Sequence, residues 1–190
     1  IISGLVGSEM CIRDSGEIAL CILSAINVGK ITNIDQIEEL CDLSVRSLDE
    51  LIDFQGYPVK AAEIATKARR SLGIGYIGLA HYLAKNGVSY GDKKAWELTH
   101  NLTEAFQYYL IKSTVNLAKE KGACKYSDRT KYANGILPID TYKKDVDELV
   151  SNDLKYDWES LRALVVEHGV RNSTLLSLIH ISEPTRPLII

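Results

Sequence analysis

The two ends of this chain are translations of one DNA element read in opposite directions. One choice of codons for Leu176–Arg186, LSLIHISEPTR, read on the complementary strand, gives Leu5 to Asp14 and the first two bases of the Ser15 codon. Unrelated natural termini have no reason to be complementary at the level of DNA. Residues 1–15 and 176–190 are therefore read as translated adapter, not native protein, and are set aside before any fold argument. Met10, Cys11 and His180 carry no functional weight, and only residues 16–175 must be explained as a fold. That is enough chain for one domain with its own core and too little for several.

The whole sequence is 46% hydrophobic and 25% charged, the balance of an ordinary folded domain, which excludes disorder and a disulfide scaffold. Its net charge is −3, so no basic field exists for a nucleic-acid backbone or an anionic membrane surface. No apolar run approaches the roughly 20 residues needed to span a bilayer. Four cysteines without paired short spacing suit a reducing compartment, and a cytoplasmic location is expected.

Within the native segment, Ile18 to Leu23 is an almost unbroken apolar run. It is too short for a helix and typical of a strand buried on both faces, which places Cys21 in a buried strand. Asn33 and Gln36 resemble a capping box, after which Ile37, Leu40, Cys41, Leu48, Leu51 and Ile52 recur at helical spacing up to Gly56 and Pro58. Further helices are expected over 59–71 and from Gly73 to Asn86-Gly87. The longest, from about Asp92 to Lys121, should end at Gly122. Asn134-Gly135 marks a turn, 140–150 is weakly helical, and Asp157 should cap a helix ended by Gly169. Val170 to Leu175 could open a second strand. Helices intervening between two buried strands give an α/β class, mostly helical in this slice.

Gly73-Ile74-Gly75-Tyr76-Ile77-Gly78 fits the dinucleotide fingerprint by letter. That motif works only after a strand and at a helix N-terminus, and residues 61–71 read as helix, so a glycine break between packed helices is the better account. His81, His100 and His168 lie on different helices at no ligand spacing, and no metal set forms. Tyr108-Tyr109 reads as core packing, with Tyr109 on the apolar stripe. Cys41 reads as a small hydrophobe on an apolar face, and nothing near Cys124 lowers its pKa.

Five stretches carry a resemblance. GEIALCILSAINVGKI (residues 16–31), RRSLGIG (69–75), AKEKGAC (118–124), YANGILPIDTYKKD (132–145) and HGVRNSTL (168–175) resemble the large, catalytic subunit of class I ribonucleotide reductase, in that family's order and spacing. The resemblance implies a partial ten-stranded α/β barrel, with residues 16–175 its central part. It also implies radical-based reduction of ribonucleoside diphosphates to 2′-deoxy products. The radical would come from a separate metal-containing small subunit, thioredoxin or glutaredoxin would restore the thiols, and two large subunits would pair. No cofactor would reside in this chain, and ATP and deoxynucleotide effectors would bind elsewhere.

By the same resemblance, Cys21 is one of two thiols that supply reducing equivalents, its disulfide partner lying outside the sequence. The radical cysteine, the substrate-phosphate loop and the tyrosine relay also lie outside it. A rival expectation is a non-enzymatic helical interaction module in which Cys21 is core filler. A dinucleotide-binding oxidoreductase is third, and it would require a strand before Gly73.

Overall fold

The computed structural model describes residues 11–12, 17–150 and 153–176. Most of the two terminal segments read as adapter therefore lies outside the described residues. The central feature is a small parallel sheet. Strand β3 (Ile22–Asn27) pairs in parallel with β4 (Leu72–Ile77), Ile22 opposite Leu72 and Asn27 opposite Ile77. On the other side of β4, Leu72 N–H donates to Thr174 O at 2.8 Å and Ile74 N–H to Leu175 O at 2.8 Å, and Ile74 bridges Leu176 in parallel. Only the end of the expected 170–175 strand reaches the sheet, ending in an isolated bridge at Leu176, so the two-stranded sheet has β4 contacted on both sides. Two short segments, β1 (Cys11–Ile12) and β2 (Ile18–Ala19), pair antiparallel before the sheet begins.

Position in the sheet explains burial. The first five residues of β4 are buried, whereas β3, paired on one side among the described residues, alternates between half-buried and exposed up to buried Ile26. Parallel neighbours need a crossover, and helices supply it. Between β3 and β4 run α1 (Gln36–Phe54) and α2 (Lys60–Arg69). After β4 come α3 (Leu79–Lys85), α4 (Lys93–Lys121), a series of 3-10 turns and α5 (Trp158–His168).

Helix α1 buries Ile37, Cys41, Val45, Leu48 and Ile52, one stripe at steps of three and four, against α4, β3 and β4. Its start is held as the Asn33/Gln36 pairing predicts on one side: Gln36 Oε1 accepts from the Asn33 and Thr32 N–H groups. Asp157 caps α5 by accepting from Ser160 N–H at 3.0 Å, and Gly122 and Gly169 end α4 and α5 as expected. Residues 140–150 form 3-10 turns in place of an α-helix.

Two expectations need correction. Gly73 to Gly78 is neither a break between helices nor the start of one, because Gly73 and Gly75 lie inside β4 opposite Leu23 and Ala25. Tertiary pairing overrides the weak strand propensity of glycine here. Only Gly78 makes the turn into α3. Its φ is +80°, and a Cβ there would stand 2.5 Å from Asn27 Oδ1, so the ends of β3 and β4 meet only if this residue is glycine. The second correction concerns Cys21. It sits one residue before β3, half-buried, and not within a buried strand, because among the described residues β3 pairs with β4 alone.

The elements are tied together by a buried polar cluster around Asp49 of α1, which is fully buried. Arg70, also buried, donates from Nε to Asp49 Oδ1 at 2.6 Å and grips the Asp53 carboxylate at 2.8 and 3.0 Å. Arg171 Nε reaches the other Asp49 oxygen at 3.1 Å. Asn172 donates to Asp49 Oδ1 and to Arg70 O, while its own carboxamide oxygen accepts from Thr114 Oγ1 of α4 at 2.9 Å. Replacing Asp49 by alanine leaves two arginines and an amide facing an empty acceptor position, a loss of about 3–5 kcal/mol for a buried pair broken on one side. In a complete subunit carrying these residues, Asp49→Ala should lower the thermal unfolding midpoint far more than Asp49→Asn, which keeps one acceptor oxygen; equal effects would show that the cluster does not hold the fold.

Candidate functional site

Because β3, β4 and the segment at 174–176 run parallel, their first residues line up along one edge of the sheet. The register that pairs Ile22 with Leu72 sets Cys21 beside Ser71, and Ile22 N–H donates to Ser71 O at 3.4 Å. Ser71 Oγ and Ser173 Oγ are 3.2 Å apart, so a row of thiol, hydroxyl and hydroxyl crosses the N-terminal edge. Next to this row opens a cavity of about 380 Å³ whose polar wall includes Arg69, Ser71, Thr130, Lys131 and Ser173. Cys21 itself does not line it.

The segment leading into Cys21 is fixed by Glu17. Arg69 Nη2 donates to Glu17 Oε2 at 3.1 Å, and Tyr126 OH donates to Glu17 Oε1 at 3.1 Å. The guanidinium carbons of Arg69 and Arg129 lie 4.9 and 4.0 Å from the Tyr126 ring centroid, close enough for attraction to the ring face. One carboxylate thus ties the start of the thiol-bearing strand to the end of α2 and to the loop after α4.

Among the described residues the Cys21 thiol makes one weak hydrogen bond, to its neighbour's carbonyl Ile22 O at 3.9 Å. Burial pushes its pKa up to about 11, so the group is a neutral thiol near neutral pH. Such a group is a poor spontaneous nucleophile and a good proton reservoir. Cys41 matches its expected structural role, and Cys124, expected in a polar loop, is buried. Cys41 is fully buried against Phe106 O, and burial raises both Cys41 and Cys124. Tyr108 and Tyr109 belong to a ring cluster, Tyr108 stacked on Tyr156 at 4.7 Å and edge-on to Trp158 at 5.3 Å. Among the described residues no group of three or more metal-ligating side chains forms, and no helix is long and apolar enough to cross a membrane. The glycine motif lacks the strand-to-helix loop that cradles a pyrophosphate, since its first two glycines are inside the strand.

The sequence did not disclose the Asp49 cluster or the Glu17 anchor. For Asp49 a signal existed: an acidic residue four after Val45 and three before Ile52 stands on the apolar stripe of α1, where a charge survives only if paired. Glu17 offered none, because its partners are 52 and 109 residues away in the chain.

Comparison with known proteins gives a consistent result. A family profile described as the ribonucleotide reductase barrel domain matches residues 7–180. The ribonucleoside-diphosphate reductase subunit alpha of Haemophilus influenzae is 63% identical over 165 residues, 87% of this chain and 22% of that protein. The phage T4 subunit alpha is 46% identical over 164 residues, 85% of this chain and 21% of that protein. The Escherichia coli reductase 1 subunit alpha is 55% identical over 127 residues, 67% of this chain and 17% of that protein. The chain spans about a fifth of the length of these relatives. Its parallel strands joined by helical crossovers are part of an α/β barrel, and the chain belongs to the ribonucleotide reductase barrel-domain family.

Proposed function

We propose that this chain is a central piece, residues 16–175, of the catalytic subunit of a ribonucleoside-diphosphate reductase, and that Cys21 is one of its two reducing thiols. The observation that carries the proposal is the neutral thiol of Cys21 at the head of β3, half-buried beside a strand edge that is unpaired among the described residues. In the overall reaction a ribose C2′–O bond breaks and a C2′–H bond forms. Two thiols lose two electrons and two protons, giving one disulfide and one water. Cys21 supplies one of those thiols, and a cysteine outside this chain supplies the other. The radical delivered by a metal-containing small subunit opens the sugar to this chemistry.

A thiol that is protonated at working pH suits the donor role. It can give a proton to the departing hydroxyl and is protected from adventitious oxidation until a partner sulfur comes within bonding distance. Glu17, gripped by Arg69 and Tyr126, keeps the strand entry in place while the disulfide forms and is reduced again. The disulfide is transient and catalytic, the kind that a reducing cytoplasm permits, with thioredoxin or glutaredoxin as the source of new electrons. Pairing of two catalytic subunits, nucleotide effectors bound elsewhere in the protein, and ends of adapter origin complete the proposal.

Two outcomes test it. In the complete subunit, Cys21→Ser should abolish turnover with thioredoxin as reductant while leaving nucleotide binding intact; undiminished turnover would remove Cys21 from the reaction. Peptide-mapped alkylation of reduced subunit should show Cys21 reacting roughly a hundredfold more slowly at pH 8 than a thiol of ordinary pKa near 8.5, with the rate still rising about tenfold per pH unit up to pH 10. A rate that levels off near pH 9 would mean that burial does not govern this thiol.

A further inference from the structure

A second cavity lies away from the Cys21 edge, between α4, the 3-10 turns at 138–147 and the start of α5. Its volume is about 240 Å³, small beside most ligand pockets. Its wall is largely apolar, with the rings of Tyr142 and Trp158, and its polar side chains include two carboxylates, Glu104 and Asp147, but no lysine or arginine among the described residues.

Glu104 is the unusual member. It is buried, and all three of its hydrogen bonds fall on one oxygen: Oε1 accepts from Lys155 N–H at 2.8 Å, Tyr156 N–H at 3.2 Å and Trp158 Nε1–H at 3.1 Å. These donors are neutral, and the other oxygen, Oε2, is buried with no partner among the described residues. His100, one helical turn earlier on the same face and also on the cavity wall, has a buried Nε2 in the same condition. A polar atom left unpartnered in a buried place is costly, and two on adjacent turns ask for a hydrogen-bonding group to fill the space between them. A carboxylate with no opposing cation on the cavity wall among the described residues, an imidazole nitrogen able to accept in one tautomer, aromatic faces and a second acidic group at the rim together select positive charge.

We propose that this cavity binds a small organic cation, a primary ammonium on an apolar body of a few carbons. The ammonium would donate to Glu104 Oε2 and to His100 Nε2, and the hydrocarbon part would rest on the ring and aliphatic walls. The site is separate from the Cys21 edge, so binding is read without reference to turnover.

The test uses the complete subunit and n-butylammonium chloride as probe, at ionic strength held constant with sodium chloride, with 1-butanol as the neutral isostere. Saturable binding by calorimetry is expected for the ammonium, at least tenfold tighter than for the alcohol, with the molecule seated at Glu104 in a soaked crystal. Glu104→Gln keeps an acceptor for the three N–H donors and should weaken binding at least tenfold. Leu154→Trp, which fills the cavity from its exposed rim without touching the Glu104 hydrogen bonds, should abolish it, and this variant keeps the test valid if the first is unstable. Equal binding of alcohol and ammonium, absence of saturable binding, indifference to Leu154→Trp, or a soaked crystal with only a water between Glu104 and His100 would each overturn the proposal.

Discussion

The fold depends on the Asp49 carboxylate more than on any single apolar contact. Its two oxygens receive Arg70 from the end of α2, Arg171 from the loop after α5, and the Asn172 amide, which is itself held by Thr114 of α4. Four segments far apart in sequence are thereby fixed at the point where β4 and the strand beside it begin. A buried ion pair is no guarantee of net stability, since desolvation offsets much of the attraction. What it provides here is placement. Residues 70 and 172 immediately precede Ser71 and Ser173, so the geometry of the cluster sets the register of the sheet edge on which Cys21 lies.

Apolar packing follows from that placement. The stripe on α1 and the broad buried face of α4 enclose Leu72 and Ile74 of β4, whereas β3 remains half-covered, with Leu23 exposed near its start. Within a barrel, such an uncovered strand edge is where the next strand pairs. The half-buried state of Cys21 has the same origin, and so does its raised pKa, which stays short of the level reached by fully enclosed Cys41.

Much of this was legible in the residues. The helices over 36–54, 93–121 and 158–168 were announced by apolar spacing and by their caps, because both signals are local. The strand at 72–77 was hidden, since two of its six residues are glycines that carry no strand propensity, and only pairing with β3 and 174–176 makes the segment extended. Burial of Cys21 was overestimated for a related reason: an apolar run reports that a strand will be covered in its final setting, not which neighbours this chain supplies. The role of Cys21 came from resemblance to a family, whereas the Glu17 and Glu104 arrangements needed coordinates, as their partners lie 51 or more residues distant.

Arg70 is also the C-terminal cap of α2, and it stands in the left-handed region at φ +50°, where glycine would be the relaxed choice. The chain accepts that backbone cost because the same residue must deliver a guanidinium to Asp49 and Asp53. Helix termination and charge neutralisation have thus been fused into one codon. A glycine there would ease the main chain and orphan two acids, while a lysine would keep the charge and forfeit the fork, so neither task can drift in evolution without dragging the other along.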